Sequence, residues 1–506
     1  MAPPSFGVAL FYARTVYRSR ATFIEVFCMS RSNSTPDARK IPLKDASPKG
    51  FSQTGQALYQ KRDKVYARHI TGIFQTLRWI TVWATLGLYF ILPWIQWSGR
   101  QAVLFDLPER KFYIFGLTFF PQDFLLLAGV LMISAFALFF FTVFAGRVWC
   151  GYACPQTVWT SAFMWVERII EGDRNARIKL DKQPRNTAKT AKRSLKYTIW
   201  LLMSFITGFT FVGYFTPIRA LGFDIAAFQL DVWGVFWLAF FTVMTFLNAG
   251  WLREQVCIYM CPYARFQSVM FDRDTLIVTY DAARGEARGK RKKAADPKAL
   301  DLGDCVDCQL CVQVCPTGID IRNGLQYECI GCAACIDACD SIMDQMNYPR
   351  GLIRYSTENR VEKQPAKILR PRLIGYGLVT LVLLAGFGWR LISRVPVELD
   401  VSRDRTALYR ENFDGQIENV YTLHIQNKTQ ETHSYTLSFG GLNGATLDAP
   451  KNIRARAGEQ VTITATVSAT PESIPSPNIR VQLTLQALDD PAISVTQESR
   501  FLSPRR

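Results

Sequence analysis

Histidine is scarce in this sequence. His69, His424 and His433 are the three in 506 residues, and none falls in an apolar stretch. A membrane haem held by histidines is therefore not expected. No Gly-x-Gly-x-x-Gly follows a candidate strand, so a nicotinamide or flavin domain is missing too. Any electrons must arrive from another protein or a quinol. Cysteine is absent after Cys339. The opening residues MAPPSFGVALFYARTVYRSR have neither the basic start nor the sustained apolar core of a signal peptide. Met29 opens a polar leader of ordinary appearance, which marks residues 1–28, with Cys28, as an over-long start.

Charge is nearly missing from five runs, at about 77–97, 124–145, 197–216, 232–250 and 373–393. Each is long enough to cross the roughly 30 Å apolar core of a bilayer, which takes about 20 helical residues. A single soluble domain is ruled out. Net charge is +17, and its distribution decides what it means. Lys plus Arg number 12 before the first run, then 3, 11, 1 and 18 in the successive gaps. This alternation is the positive-inside pattern. It puts the N-terminus, the 146–196 loop and the 251–372 segment in the bacterial cytoplasm and the tail after 393 in the periplasm. The basic stretch 284–298 reads as a solvated loop near anionic lipid. No recognition motif accompanies it, so nucleic acid is not an expected partner.

Most of the chemistry is in the cysteines. Cys305, Cys308, Cys311 and Cys315 form a C-x2-C-x2-C-x3-C-P run, and Cys329, Cys332, Cys335 and Cys339 repeat it with Asp340 in place of the proline. Two triplets with a trailing fourth cysteine are an iron–sulfur pattern, whereas zinc sites use separated C-x2-C pairs. Three thiolates wrap one cubane and the fourth reaches across to the other. One [4Fe–4S] cluster then takes Cys305, Cys308, Cys311 and Cys339, the second Cys329, Cys332, Cys335 and Cys315. Gly318 and Gly331 relieve crowding near the sulfides.

A second motif is an internal repeat. Cys150-Gly-Tyr152-Ala-Cys154-Pro155 follows the second apolar run, and Cys257-Ile-Tyr259-Met260-Cys261-Pro262 follows the fourth. Cysteines four apart on one helix share a face. Each proline marks the start of a new interfacial helix, at about 156–170 and 263–272, whose dipole favours ionisation of the thiol at its start. If the repeats face each other, four sulfurs converge. Soft donors of this kind select Cu(I), zinc or iron–sulfur centres, and Met164 and Met260 are candidate thioether ligands. The alternative is that these cysteines only pack two helices.

From 397 to 502 the pattern changes to a two-residue period broken by Gly- and Pro-rich turns. About seven strands in roughly a hundred residues indicate an immunoglobulin-like sandwich. Docking a partner is its expected role, and a folding cap is the alternative. Asn427-Lys428-Thr429 matches a glycosylation sequon and reads as ordinary turn sequence.

The expected fold is a multi-domain membrane protein: a five-helix transmembrane α bundle, an inserted double-cluster ferredoxin-like α+β domain and a C-terminal all-β immunoglobulin-like sandwich. The segments are a polar cytoplasmic leader (1–75), helices one to four with the two Cys-Pro elements (76–272), the ferredoxin domain (273–372), the fifth helix (373–393) and the periplasmic sandwich (394–506).

From about Tyr66 onward, and most specifically in GRVWCGYACPQTVW (146–159), CIYMCPYARFQ (257–267) and the two cluster runs, the chain resembles the cytochrome c oxidase accessory protein family of the FixG/CcoG type. Its middle also looks like the membrane ferredoxins of periplasmic nitrate reductase systems. The first resemblance implies a cupric reductase that makes Cu(I) for assembly of a cbb-type oxidase. It also implies copper chaperones and oxidase assembly factors as partners, alongside membrane lipid and an unidentified electron donor. Copper would be substrate or bound ion at Cys150, Cys154, Cys257 and Cys261. The competing readings are an electron conduit from quinol to a periplasmic reductase and a non-redox assembly scaffold.

Overall fold

The computed structural model describes residues 64–293, 298–404 and 406–504. The reading of residues 1–28 and Cys28 lies outside them. Among the described residues, four helices are long and apolar enough to cross a membrane: Pro121–Ala145, Thr187–Val212, Val232–Leu252 and Pro371–Ile392. The first expected span is a 19-residue helix, Ile73–Ile91. It begins four residues earlier than its apolar run and ends ahead of Pro93, which cannot continue a helix. Arg78 in its second turn keeps it out of the strongly apolar group. The third helix likewise starts earlier than its apolar run, at Thr187, where the Asn186 side chain caps the amide of Lys189.

The long helices pack closely where glycine allows it. A Cβ on Gly208 would sit 3.0 Å from the Thr242 backbone nitrogen, so Thr187–Val212 and Val232–Leu252 cross almost backbone to backbone. Gly377 instead makes room for the Phe140 ring, between Pro371–Ile392 and Phe124–Ala145.

Everything between the helices gathers at two opposite ends. At one end the 96–119 segment forms a hairpin and a three-stranded sheet, Val103–Asp106, Lys111–Ile114 and Leu117–Phe119. Phe105 N–H donates to Tyr214 O at 2.8 Å, tying this sheet to the loop after the third helix. The sandwich joins the same end. Asp123 accepts from Arg394 at 2.6 Å and from Lys428 at 3.2 Å, and Arg100 donates to Gln430 at 2.7 Å. At the other end lie 64–72, the 146–186 loop and 253–370. The Ile73–Ile91 helix therefore runs between the two ends as the other four do.

The sandwich has a five-stranded and a four-stranded sheet, where about seven strands were expected. Short edge strands such as Arg410–Glu411 and Ile453–Ala455 account for the excess. Tyr421, Tyr435, Leu423, Leu483 and Phe501 fill its core, and the Tyr421 hydroxyl donates to Arg500 O in the opposite sheet at 3.1 Å. The Asn427 amide is fully buried and donates to Glu431, Ala455 and Arg456 carbonyls, which makes it a turn residue inaccessible to modification.

In the cysteine-rich domain, Ile277–Tyr280 pairs antiparallel with Ile353–Ser356, and the helices Leu310–Gln313 and Ala334–Met346 each begin one residue before the third cysteine of a triplet. The repeat is visible residue by residue. Gln309 and Ala333 occupy the same place between two cysteines, and both are left-handed, with φ 57° and 58°. Asp340 explains the missing proline: without it the helix after Cys335 runs on to Met346, and the Asp340 carboxylate accepts from Gly351 N–H at 3.0 Å. The basic 284–298 stretch is not simply a solvated loop. Arg284 is salt-bridged to Asp304 and Arg291 donates to Tyr348, while Lys290, Lys292 and Lys293 stay exposed. The charge that folds inward is guanidinium, which can bond carbonyls and hydroxyls in several directions.

Candidate functional site

Cys305, Cys308, Cys311 and Cys339 line one pocket, whose remaining wall includes Leu310, Ile342, Met343 and Leu352. Four soft donors around an apolar hollow fit an iron–sulfur cubane by donor type and by surroundings. Cys335 lies within the electrostatic reach of Cys332, Cys329 and Cys315, the other grouping expected from the spacing, and also of Cys311 from the first. Burial pushes the Cys311 and Cys329 thiols up to about 12. Left alone they stay protonated; a cluster's positive charge is what turns such groups into thiolates. Among the described residues no three His, Cys, Asp or Glu side chains close on a single metal ion.

The Cys-x3-Cys-Pro elements differ from the expectation of a shared helical face. Cys150 lies in the short helix Val148–Tyr152, the chain breaks at Ala153, and extended Cys154 precedes Pro155–Glu171. Cys257 lies in the widened turn Val256–Met260, and extended Cys261 precedes Pro262–Met270. Each proline is the first residue of its new helix, so each pair straddles a break and its sulfurs are freed from helical register. The four thiols nevertheless gather. Cys150 feels Cys154 and Cys261, Cys154 feels Cys261, and Cys257 feels all three. The helix-start argument for easy ionisation fails at Cys154. Burial raises its pKa, and the amides of Thr157 and Gln156 only partly offset that. Burial likewise lifts Cys150 to about 11 and Cys257 to about 12.

The first element is docked directly on the second cysteine run. A Cβ on Gly151 would lie 2.9 Å from Cys332 Cα, and the Tyr152 hydroxyl donates to Cys332 O at 3.5 Å. Gly331, left-handed at φ 67°, returns the approach: its Cβ would meet the Arg147 carbonyl at 3.2 Å. The Arg147 guanidinium spans the junction, donating to Tyr327 O, to Cys329 O at 3.3 Å and to Ala264 O at 2.5 Å. Cys150 packs in one apolar cluster with Cys332 and Cys335 and donates to Gln267 Oε1 at 3.3 Å. The second element touches that domain through the buried Ile258, whose carbonyl accepts from the Tyr327 hydroxyl at 3.5 Å, while Tyr259 and Met260 are each 60% exposed. Met164 borders a cavity beside Cys257, so of the two methionines only Met164 turns toward a thiol.

Two features had no sequence signal strong enough to find them. Asp337, two residues past Cys335, accepts from the amides of Phe74 at 3.2 Å and Gln75 at 2.7 Å, and so caps the first long helix from the cysteine domain. Beneath the helices, buried Glu167 pairs with Arg253 at 2.9 Å, Arg177 at 3.0 Å and Lys196 at 3.4 Å. Burial disfavours its charge, but the three cations prevail and hold the carboxyl below its ordinary value. The i, i+4 pair Glu167 and Glu171 on an interfacial helix was the available hint.

Comparison with known proteins agrees with this arrangement. The pattern of a 4Fe-4S dicluster domain matches residues 252–358, that of a 4Fe-4S binding domain matches 127–171, and the immunoglobulin-like fold at the C-terminus of FixG matches 387–504. The chain is 43% identical to protein RdxB of Cereibacter sphaeroides over 76% of its own length and 83% of that protein. It is 38% identical to the nitrogen fixation protein FixG of Rhizobium meliloti over 80% and 84%. The ferredoxin-type protein NapH of Haemophilus influenzae is 26% identical over 38% of this chain and 55% of NapH. With iron–sulfur domains, apolar helices and the FixG-type sandwich in one sequence, the chain belongs to the FixG family.

Proposed function

We propose that this iron–sulfur protein is a cupric reductase that delivers Cu(I) during assembly of a cbb-type oxidase. The observation that carries the reading is the docking of Cys150-Gly151-Tyr152 on the Cys332 backbone, which puts a cluster-binding loop against a set of thiols. Cys305, Cys308, Cys311 and Cys339 would hold one [4Fe–4S] cluster, and Cys315, Cys329, Cys332 and Cys335 the other; bound, the two supply single electrons at low potential. Cys150, Cys154, Cys257 and Cys261 receive copper as substrate. Thiolates stabilise Cu(I) over Cu(II), which favours the one-electron reduction. Arg147 and Gln267 position Cys150, and the four thiols are partly buried. The protein crosses the membrane five times, with the N-terminus and cysteine domain cytoplasmic and the sandwich periplasmic. Copper is therefore reduced at the cytoplasmic end, and the sandwich offers a surface for chaperones or assembly factors.

The test uses anaerobically purified, chemically reduced protein, to which Cu(II) and a chromogenic Cu(I) trap are added. Wild type should yield one Cu(I) per electron stored, and Cys150→Ser/Cys154→Ser should lose most of that yield while keeping its iron. An unchanged yield in the variant removes copper from these thiols.

A second reading places a further cubane at the membrane thiols. It is favoured by the 4Fe-4S match over 127–171, which includes Cys150 and Cys154.

A further inference from the structure

A cavity of about 80 Å³ opens where the Ile73–Ile91 and Pro155–Glu171 helices meet the cysteine domain. Its membrane side is aromatic. Trp79, Trp83 and Trp165 pack mutually with centroids 6.2–6.5 Å apart. Trp79 and Trp165 line the cavity, and Trp83, 58% exposed, extends the cluster outward along the helix. Ile80 and Ile169 lie exposed beside this rim, an apolar approach for a lipid-soluble molecule. The inner wall is Val314, Pro316 and Ala334, which border Cys315 and Cys335 in sequence. Polar groups sit at the same level. Arg78 is 7% exposed, donates to Ser161 at 2.9 Å and leaves its buried Nε without a partner. His69 and Asp173 lie at the mouth, the His69 amide donating to Asp173 at 3.1 Å.

A buried guanidinium inside a membrane-facing helix is costly, and it is kept where it has a partner or a ligand. We infer that the cavity seats the ring of an isoprenoid quinone. Indole faces flank a planar ring, Arg78 donates to a ring oxygen, and His69 and Asp173 can exchange protons with a quinol at the water side. The apolar rim leads the isoprenoid chain into the bilayer. The lining also carries Arg68, Arg168 and Arg177 beside Asp173, so an anionic phospholipid headgroup would meet more positive charge than Arg78 alone. It gains nothing, however, from the wall beside Cys315 and Cys335, and added phosphatidylglycerol separates the two. The inference is independent of copper and identifies the class of electron donor that the sequence leaves open.

The test is binding by the full-length protein in phosphatidylcholine nanodiscs. Decylubiquinone should quench tryptophan fluorescence saturably. Arg78→Leu and, separately, the milder rim change Trp165→Leu should each weaken binding about tenfold, with visible cluster absorption unchanged as the sign of intact folding. Absence of saturable quenching would overturn the proposal. So would affinity unaffected by both substitutions. Nanodiscs with added phosphatidylglycerol provide the last arm: loss of quinone binding there would assign the cavity to lipid, whereas unchanged binding supports the quinone.

Discussion

At Gly151 the absent side chain matters more than any that could replace it. An added Cβ would meet three backbone atoms of the facing loop, Cys332 Cα at 2.9 Å and Cys332 N and Gly331 C at 3.0 Å. Backbone cannot rotate away as a side chain would, so Gly151→Ala must push the Cys150 element off the loop. Overpacking of this sort costs about 1–3 kcal/mol. The variant should lose its visible cluster absorption at a lower temperature than wild type; an unchanged transition would mean that the two backbones are not in contact. The eight ferredoxin cysteines were legible in the sequence because their spacing is local. Gly151 was not, since nothing near it records a contact with residues 180 positions away.

Among the elements, the first long helix depends on a cap it does not carry. Its own N-cap residue is Gly72, which has no side chain to offer, and Asp337 supplies both bonds from the cysteine domain. Asp337→Ala should cost about 1–2 kcal/mol, in the range for a lost cap. Hydrogen exchange at Phe74 and Gln75 should accelerate, and Asp337→Asn should restore part of the protection. Equal exchange in all three proteins would contradict the capping role. Helix existence was readable from hydropathy, but helix ends were not. Polar first turns extend Thr187–Val212 beyond its apolar run, and Pro93 cuts Ile73–Ile91 short of its own. Likewise Pro155 and Pro262 signalled new helices correctly, whereas the breaks at Ala153 and Cys261 undid the simple i, i+4 geometry of the thiols.

Across the whole molecule, charge alternation in the sequence and segregation in space tell the same story. Loops rich in Lys and Arg gather at the cysteine-rich end and loops poor in them at the sandwich end. One carboxylate ties the sandwich to the helices: Asp123, bonded to Arg394 and Lys428, with all three side chains nearly buried. Removing it leaves Lys428 its bond to Glu398 at 2.6 Å but takes the carboxylate from Arg394. Breaking a buried pair in this way typically costs about 3–5 kcal/mol. Asp123→Ala should therefore make the link near residue 394 more susceptible to protease in intact membranes, while iron content stays constant. No change in cleavage would show the sandwich to be held by other contacts. The architecture was largely legible from the sequence. The docking of the first Cys-Pro element on the ferredoxin loop was not, because it joins segments whose separate patterns say nothing of each other.

The most direct measurement of the central claim, that eight cysteines hold two cubanes and four membrane thiols serve copper, is the iron content of anaerobically isolated protein. It is compared between wild type and Cys150→Ser/Cys154→Ser. Two [4Fe–4S] clusters require about eight iron atoms per chain in both proteins. About twelve in wild type falling to eight in the variant would contradict the account and give the membrane thiols to a third cluster.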